Sequence, residues 1–389
     1  MKKMLWTACL AALMAGSTMT MTSCSDDDTP QGSTANPVSK SVAAAKQHDT
    51  AILLCTFGST FQESLKTYEA IEADFKAAFP NADVFLAFSS NTCVNRVVAS
   101  TGIARFQPKY YLEAIAEAGY KRVAVQSLHV IPGEEYLDLM SQEVKKEFMI
   151  ENHPEMEVLR SPNLLSTQDD TDQLAAVLTK AYATQLADER NIVLFMGHGN
   201  PDENYRANDK YADSQTALQK LAVNKNVFVG TVDYGDMLFW PYSEVNGEEV
   251  ADAEPNATCM YAQLKAYCSA RGWWDEENDR VKDGETVNIF LAPFMTISGD
   301  HAHNDMWGLE DDEEFTLADA TPDNIEVSWR LRLEHMGFNI DKTESHSGTY
   351  ATCGIKGLGD YADIRKIWLS HLQSRYNNAS SWETGESYQ

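Results

Sequence analysis

Short apolar runs alternate with amphipathic segments along most of the chain. The run at 51–57 (AILLCTF) contains no charged residue, which is typical of a strand buried on both faces of a parallel sheet. A second series begins with the apolar run at 191–196. We therefore predict an α/β fold of two similar lobes, residues 49–186 and 187–389, each a parallel sheet flanked by helices, with a cleft between them. The runs that predict strands most clearly are 51–57, 83–88, 122–128, 191–196, 227–232 and 287–294.

The stretch 239–284 interrupts this alternation. It combines many acidic residues with aromatic ones, namely Trp240, Tyr242, Tyr261, Tyr267, Trp273 and Trp274. We predict an insertion in the second lobe, between one strand and the next. Its aromatic side chains either pack the insertion itself or stack on a flat ligand.

The N-terminus has the order of regions found in a bacterial secretory signal. Two lysines precede an apolar run at 4–14, and small and hydroxyl residues then lead to Cys24. This run is too short to span a bilayer. The cysteine resembles a lipobox cysteine, although Met21 stands where leucine is usual, so residues 1–23 are predicted to be a signal peptide and Cys24 the lipidated residue. The alternative is an ordinary signal peptide followed by a chance cysteine.

Residues 24–48 have the composition of a linker. An acidic run, Asp26–Asp28, is followed by many Thr, Pro, Gly, Ser and Asn residues, which cannot bury a core. The acidic run resembles the surface-export signal of Bacteroidetes lipoproteins, and a charged, soluble linker is the alternative. We predict a flexible tether on an exported lipoprotein of the outer membrane, facing the periplasm or the outside and bound to the membrane through its lipid.

The charge of the chain excludes one class of partner. Its formal net charge is −27, and loss of the two signal lysines makes the mature side chains −29. No basic stripe is present, so nucleic acid is a poor partner, whereas an acidic field attracts divalent cations. Among the cysteines, Cys259 and Cys268 could form a bridge in an oxidising compartment.

Polar residues cluster where predicted strands end, which is where parallel sheets bind ligands. His198, Asp233 and His301 each follow a different strand, and together they would suit Co²⁺, Fe²⁺ or Ni²⁺. A single histidine at a strand end is more often a structural hydrogen-bonding group; the shared location is the stronger signal. Asp300 and Asp305 are candidates to orient His301 and His303. Gly197 and Gly199 would let the backbone approach a ligand closely.

Six ordered segments resemble the anaerobic sirohydrochlorin cobaltochelatases, which belong with protoporphyrin ferrochelatase to the class II chelatases. They cover nearly the whole body after residue 50. The segments are 53–60 (LLCTFGST), 125–136 (VQSLHVIPGEEY), 195–199 (FMGHG), 229–233 (VGTVD), 299–306 (GDHAHNDM) and 357–360 (GLGD).

The resemblance implies a tetrapyrrole bound in the cleft and a divalent metal as second substrate, Co²⁺ first, with no organic cofactor. It implies metal ligation by His198 and His301, which would also accept pyrrole protons. Asp233 matches the family's third ligand, a glutamate, but is one methylene shorter, which puts the metal position in doubt. The residues predicted to line the substrate site are His129, Glu135, Gly197, Gly199 and His303.

Export does not fit this resemblance, because cobalamin precursors are made in the cytoplasm. A surface lipoprotein of the same fold would instead bind haem or another tetrapyrrole for uptake, or remove its metal, with an outer-membrane transporter as partner. A solute-binding protein for small polar ligands would suit two lobes but leaves the paired histidines unexplained. The sequence leaves open whether the chain forms a homo-oligomer.

Overall fold

The protein is described here from a computed structural model. The predicted signal peptide and Cys24 lie outside the described residues, as does Cys353. Within the described part of the chain, no helix has both the length and the apolar character needed to cross a membrane. The described residues are 36–101, 105–201, 206–234, 239–240, 242–245, 248–251, 257–308, 315–340 and 355–388.

Two four-stranded sheets form the centre of the fold. The first contains β1 (Thr50–Thr56), β2 (Asp83–Phe88), β3 (Arg122–Ser127) and β4 (Glu157–Ser161), in the order β2-β1-β3-β4. The second contains β5 (Asn191–Gly197), β6 (Val227–Thr231), β11 (Asn288–Pro293) and β12 (Asn339–Ile340), in the order β12-β11-β5-β6. Every pairing within these two sheets is parallel. The predicted α/β class with two parallel-sheet lobes is confirmed.

Helices flank both sheets, and two short antiparallel hairpins lie within the stretch 239–284 that was predicted to be an insertion. The hairpins are β7 (Tyr242–Val245) with β8 (Glu248–Ala251), and β9 (Trp274–Asp275) with β10 (Arg280–Val281). Helix α5 (Glu134–Leu137) continues as a π-helix over Asp138–Asn152. The other α-helices are α1 (Ser39–Ala45), α2 (Gln62–Ala78), α3 (Asn91–Thr101), α4 (Pro108–Glu117), α6 (Gln168–Ala181), α7 (Ala183–Leu186), α8 (Asp209–Leu221), α9 (Met260–Ser269), α10 (Trp329–His335) and α11 (Ala362–Tyr376).

Strand β1 shows why its sequence is apolar without alternation. Successive side chains of a strand point to opposite faces of the sheet. Ile52 and Leu54 pack in the core that continues into the second lobe, whereas Leu53 and Cys55 pack in a separate core beneath α4 and the π-helix. Both faces of the strand are therefore covered, as in other doubly covered parallel sheets.

The N-terminal segment corrects the predicted tether. Val38 and Val42 are buried in the core beneath α4, and α1 packs along that helix. Lys46 then donates from Nζ to the carbonyl oxygens of Ala118 and Gly119, at 2.9 and 2.6 Å. The prediction of a flexible segment extending to residue 48 is wrong for residues 36–48, because two buried valines and the hydrogen bonds of Lys46 dock this short segment.

The C-terminal segment corrects the predicted lobe boundary. Helix α11 packs against β3 and β4 of the first sheet, although its sequence lies in the range 187–389 assigned to the second lobe. Beyond it, the backbone N–H and C=O of Glu383 pair with those of Val158 at 2.9 and 2.8 Å, which covers the edge of β4. The chain therefore returns to the first lobe after β12.

The described part of the insertion packs its own aromatic residues. Trp273 and Trp274 are buried, and the rings of Trp240 and Tyr261 lie 4.8 Å apart. This favours the first of the two predicted roles for these aromatics. Cys259 and Cys268 are buried free thiols, so the bridge between them is not formed.

Direct contacts join the two lobes near the ends of their strands. Ser64 Oγ donates to the carbonyl oxygen of Ser298 at 2.5 Å, and Thr296 Oγ1 donates to that of Leu128 at 2.6 Å. The ring of Phe61 stacks on that of His303, with centroids 3.9 Å apart. Loops after β1 and β3 of the first sheet are thus fixed against the loop after β11 of the second.

Candidate metal centre

Three neighbouring strands of the second sheet bring the predicted metal ligands together. His198 directly follows β5, Asp233 lies two residues beyond β6, and His301 lies in the loop after β11. Strands β11, β5 and β6 are adjacent and parallel, so their carboxyl ends meet at one edge of the sheet. The three side chains converge because the strands that carry them are neighbours.

The side chains of His198, Asp233 and His301, here called the metal group, form a compact set. One donor atom from each lies within 4.8 Å of the others. Nε2 of His198 is 4.0 Å from Oδ2 of Asp233. Donors at about 2.1 Å from a tetrahedral ion lie about 3.4 Å apart, so the side chains must close slightly to bind one.

The metal group is open to solvent. His198 keeps 42% of its side-chain surface exposed, and Asp233 keeps 33%. For His301 the exposed fraction is 36%. A ligand can therefore reach all three residues without displacing a packed core.

His301 is oriented by an acid on the same short helical turn. Its Nδ1 lies 2.6 Å from Oδ2 of Asp305, which leaves Nε2 as the donor for an ion. Burial lowers the pKa of His301, but the hydrogen bond to Asp305 and the charges of Asp305, Asp233 and Asp300 outweigh it, so the pKa lies above its ordinary value. Asp305 thus has the orienting contact predicted for it, whereas Asp300 accepts a hydrogen bond from Asn304.

The turn that carries His198 is fixed by packing beneath it. A Cβ on Gly197 would lie 2.2 Å from Cε1 of Tyr211, and one on Gly199, whose φ is +98°, would lie 1.9 Å from the carbonyl oxygen of Asp233. The backbone N–H of Gly199 also donates to the Tyr211 hydroxyl at 3.2 Å. These contacts explain why both positions require glycine, and a close approach of their backbone to a ligand stays a prediction.

His129 lies on the loop that follows β3, and Glu135 lies in the first turn of α5. Nε2 of His129 is 3.5 Å from Oε2 of Glu135, and its Nδ1 is 2.9 Å from the Ser127 hydroxyl. Burial lowers the pKa of His129, and the charge of Glu135 opposes that shift. The backbone N–H of Glu134 donates to Oδ1 of Asn200 at 2.8 Å, which holds this loop beside the His198 turn. Contact of His129 and Glu135 with substrate stays a prediction.

His303 is placed differently from its prediction as a substrate-binding residue. It is fully buried, its ring stacks on Phe61, and its Nδ1 lies 2.8 Å from the carbonyl oxygen of Gly299. Its imidazole is therefore part of the contact between the lobes, and the substrate-binding prediction is wrong for this residue. Sequence reasoning also missed Tyr211, because nothing in the pattern of α8 distinguishes this tyrosine from an ordinary core residue.

Residues 50–237 and 274–377 match the sequence profile of the cobalt chelatase (CbiK) family. The chain belongs to the cobalt chelatase family. The predicted resemblance to the cobaltochelatases is thereby confirmed. Residues 238–273 fall between the two matched parts of the cobalt chelatase profile, and all of them except residue 238 belong to the stretch 239–284 predicted to be an insertion.

Individual relatives resemble the chain over most of its length. It is 27% identical over 332 residues to the sirohydrochlorin cobaltochelatase of Salmonella typhimurium, covering 85% of this chain and 97% of that one. It is 25% identical over 324 residues to the sirohydrochlorin cobaltochelatase CbiKC of Nitratidesulfovibrio vulgaris, covering 82% and 88%. Among solved structures, SirB from Bacillus subtilis with Fe³⁺ has a TM-score of 0.48 at 12% identity, covering 85% and 97%.

Proposed function

We propose that this protein inserts a divalent metal ion, Co²⁺ first, into sirohydrochlorin or a closely related tetrapyrrole. The observation that carries the proposal is the metal group itself: two imidazoles and a carboxylate within 4.8 Å of one another, open to solvent, in a chain of the cobalt chelatase family. The enzymes named above as relatives act on sirohydrochlorin, and this supports the same substrate class here.

Metal insertion exchanges two pyrrole N–H protons for one divalent ion. His198 and His301 each have Nδ1 engaged, with Gly199 and Asp305 respectively, so Nε2 of both rings serves the ion. Asp233 supplies negative charge to the same ion. As the metal passes to the ring nitrogens, the released imidazoles can accept the two protons, and the raised pKa of His301 favours that step. Holding ion and ring together supplies the proximity effect.

The test is anaerobic spectrophotometry of sirohydrochlorin with Co²⁺. We expect His198→Ala and His301→Ala each to lower turnover by at least about 100-fold, because each removes both a metal ligand and a proton acceptor. His335→Ala is the matched control, since His335 lies on α10 and its Nδ1 contacts the Leu317 carbonyl oxygen instead of the metal group. Equal turnover in all three variants would remove the assignment.

The second candidate function follows from the N-terminal sequence. An exported lipoprotein with this cleft would bind haem or another tetrapyrrole for uptake through an outer-membrane transporter, or remove its metal. Anaerobic incubation of the purified protein with haem distinguishes the two candidates. Tight haem binding without Co²⁺ insertion into sirohydrochlorin would favour uptake, whereas turnover with Co²⁺ would favour the chelatase.

We further propose that the chain is an exported outer-membrane lipoprotein anchored through Cys24. The charged, apolar and small-residue regions that precede Cys24 support this, and the family match begins only at residue 50. Metabolic labelling with palmitate should mark the wild type and not Cys24→Ser, and the variant should leave the membrane fraction. Protease added to intact cells then separates a surface-facing from a periplasmic protein.

A further inference from the structure

We propose that Tyr234 determines how the tetrapyrrole is seated, by packing its ring against the macrocycle beside His198. The proposal rests on the proposed chelatase function and adds a substrate contact that does not involve the metal. It concerns the residue that immediately follows Asp233 of the metal group.

The backbone of Tyr234 is in a conformation that tyrosine avoids. Its φ is +60°, in the left-handed region that suits glycine and disfavours bulky side chains. Contacts on either side hold it there: the backbone N–H of Asp233 donates to the His198 carbonyl oxygen at 3.0 Å, and Thr231 Oγ1 donates to the Tyr234 carbonyl oxygen at 3.3 Å. Strain of this kind persists where surrounding structure imposes it, and it concentrates at functional sites.

The ring of Tyr234 lies at the border of the metal group. Its centroid is 6.2 Å from that of the His198 ring, at an interplanar angle of 48°. The His198 ring also meets that of His301, with centroids 4.8 Å apart. Tyr234 is half-buried, as are His198 and Asp233 beside it.

A planar macrocycle is the ligand that fits this arrangement. Its four central nitrogens must face the ion held by His198 and His301. The outer edges of its pyrrole rings therefore extend past the ligands, over the residues that border them. An aromatic side chain there offers an offset-stacked or edge-to-face contact. Such a contact acts on the tetrapyrrole and not on the free ion, and this difference makes the proposal testable.

The experiment measures the two substrates separately on the full chain. Sirohydrochlorin binding is followed anaerobically by fluorescence quenching without metal, and Co²⁺ binding by calorimetry without tetrapyrrole. We expect Tyr234→Gly to weaken sirohydrochlorin binding by about 3- to 10-fold, the range for one aromatic pair, and to leave Co²⁺ affinity unchanged. Tyr234→Phe should bind both as the wild type does, since the ring carries the effect.

A matched control removes the effect of backbone strain. Lys225 also has a positive φ, +53°, in the turn before β6, so Lys225→Gly makes the same backbone change away from the site. It should bind both ligands like the wild type. Both glycine variants should fold, because glycine is the residue that this conformation favours.

Each other outcome has a defined meaning. Unchanged sirohydrochlorin affinity in Tyr234→Gly would overturn the proposal. Loss of Co²⁺ affinity instead would also overturn it, because it would show that the ring only supports His198. Weakened sirohydrochlorin binding in Tyr234→Phe would likewise overturn the proposal, since this variant keeps the ring. If the wild type binds no sirohydrochlorin, the proposed function is overturned as well. If the wild type inserts Co²⁺ and Tyr234→Gly binds sirohydrochlorin as tightly as the wild type, this inference alone is overturned.

Discussion

The imidazole rings of His198 and His301 lie 4.8 Å apart and nearly perpendicular, at 72°. Each ring has its Nδ1 engaged by an oxygen, from the Gly199 carbonyl and the Asp305 carboxylate respectively. These contacts favour, in each ring, the tautomer that leaves Nε2 free of a proton and available to a ligand. His198 and His301, although far apart in sequence, thus form one site with Asp233. Substitutions of the residues that surround this site should therefore change its affinity for the metal.

The length of the Asp233 side chain sets the first prediction. Asp233→Asn removes the negative ligand and should weaken Co²⁺ binding by at least about tenfold, which is about 1.4 kcal/mol. Asp233→Glu should stay close to the wild type, because the 4.0 Å separation between Asp233 and His198 leaves room for a longer arm. Calorimetry with Co²⁺ checks both variants. An equal loss in the two would show that position matters more than charge.

The pairing of Asp305 with His301 sets a pH dependence. A protonated imidazole cannot bind metal, and the pKa of His301 is raised, so Co²⁺ affinity should fall as pH drops through that raised value. Asp305→Asn removes the main cause of the raised pKa, so the loss should move to lower pH. At alkaline pH the variant should bind about tenfold more weakly, because the ring is less well oriented.

Calorimetric titrations from about pH 4.5 to about pH 8.5, about two units either side of an ordinary histidine pKa, would record both effects. Asp363→Asn, at an exposed acid on α11, is the control and should reproduce the wild-type profile. An Asp305→Asn profile that keeps the wild-type midpoint would contradict the assigned role of Asp305.

The packing of Gly197 on Tyr211 predicts a coupled pair. Gly197→Ala places a methyl group 2.2 Å from the tyrosine ring and should destabilise the fold by about 1–3 kcal/mol. Tyr211→Leu removes the ring, so the double variant should lose less stability than the sum of the single changes. Urea denaturation of the four proteins measures the coupling. Strict additivity would mean that the turn relaxes away from the ring.

Docking of the N-terminal segment depends on Asp83. Its carboxylate accepts hydrogen bonds from the backbone N–H groups of Gln47 and His48 and from the Tyr120 hydroxyl. Burial raises the pKa of Asp83, but these bonds outweigh it and the pKa is lowered. Asp83→Asn should therefore lower stability at neutral pH by about 2 kcal/mol.

The sign of its pH dependence follows from the lowered pKa. A carboxyl whose pKa is lower in the folded state stabilises the fold above its unfolded pKa, near 3.9, and loses that contribution as pH falls through the folded value. The difference between wild type and Asp83→Asn should shrink in that acid range. Asp49→Asn, at an exposed acid paired with Lys121, should change nothing measurable at any pH. A pH-independent difference for Asp83→Asn would contradict the charge-based account.

The strands were predictable because burial on both faces leaves an apolar run with clear ends. The run at 83–88 coincides with β2, and the run at 122–128 exceeds β3 by one residue. The convergence of the three ligands was also predicted from sequence, since His198 and Asp233 lie just past strands and His301 lies in the segment that follows β11. The hydrophobic pattern does not show the strand order β11-β5-β6, and it is this order that makes the ends of the three strands adjacent.

The misplaced elements share one physical cause. Periodicity shows that a helix has an apolar face and does not show which surface covers it, so the return of α11 to the first sheet was not foreseen. Helix α1 has only seven residues and its stability comes from packing, so its sequence resembles a linker. His303 lies two residues from His301, and only the position of Phe61 in the other lobe decides that it is buried.

The stack of Phe61 on His303 links the spacing of the two lobes to the position of the helical turn that follows His301. Phe61 belongs to the first lobe, and His303 shares a short helical turn with His301 and Asp305. A macrocycle that moves the lobes apart must either slide these two rings past each other or move the helical turn together with Phe61, since close-packed contacts do not stretch. In the second case, separation of the lobes would also shift His301, one of the three residues of the metal group.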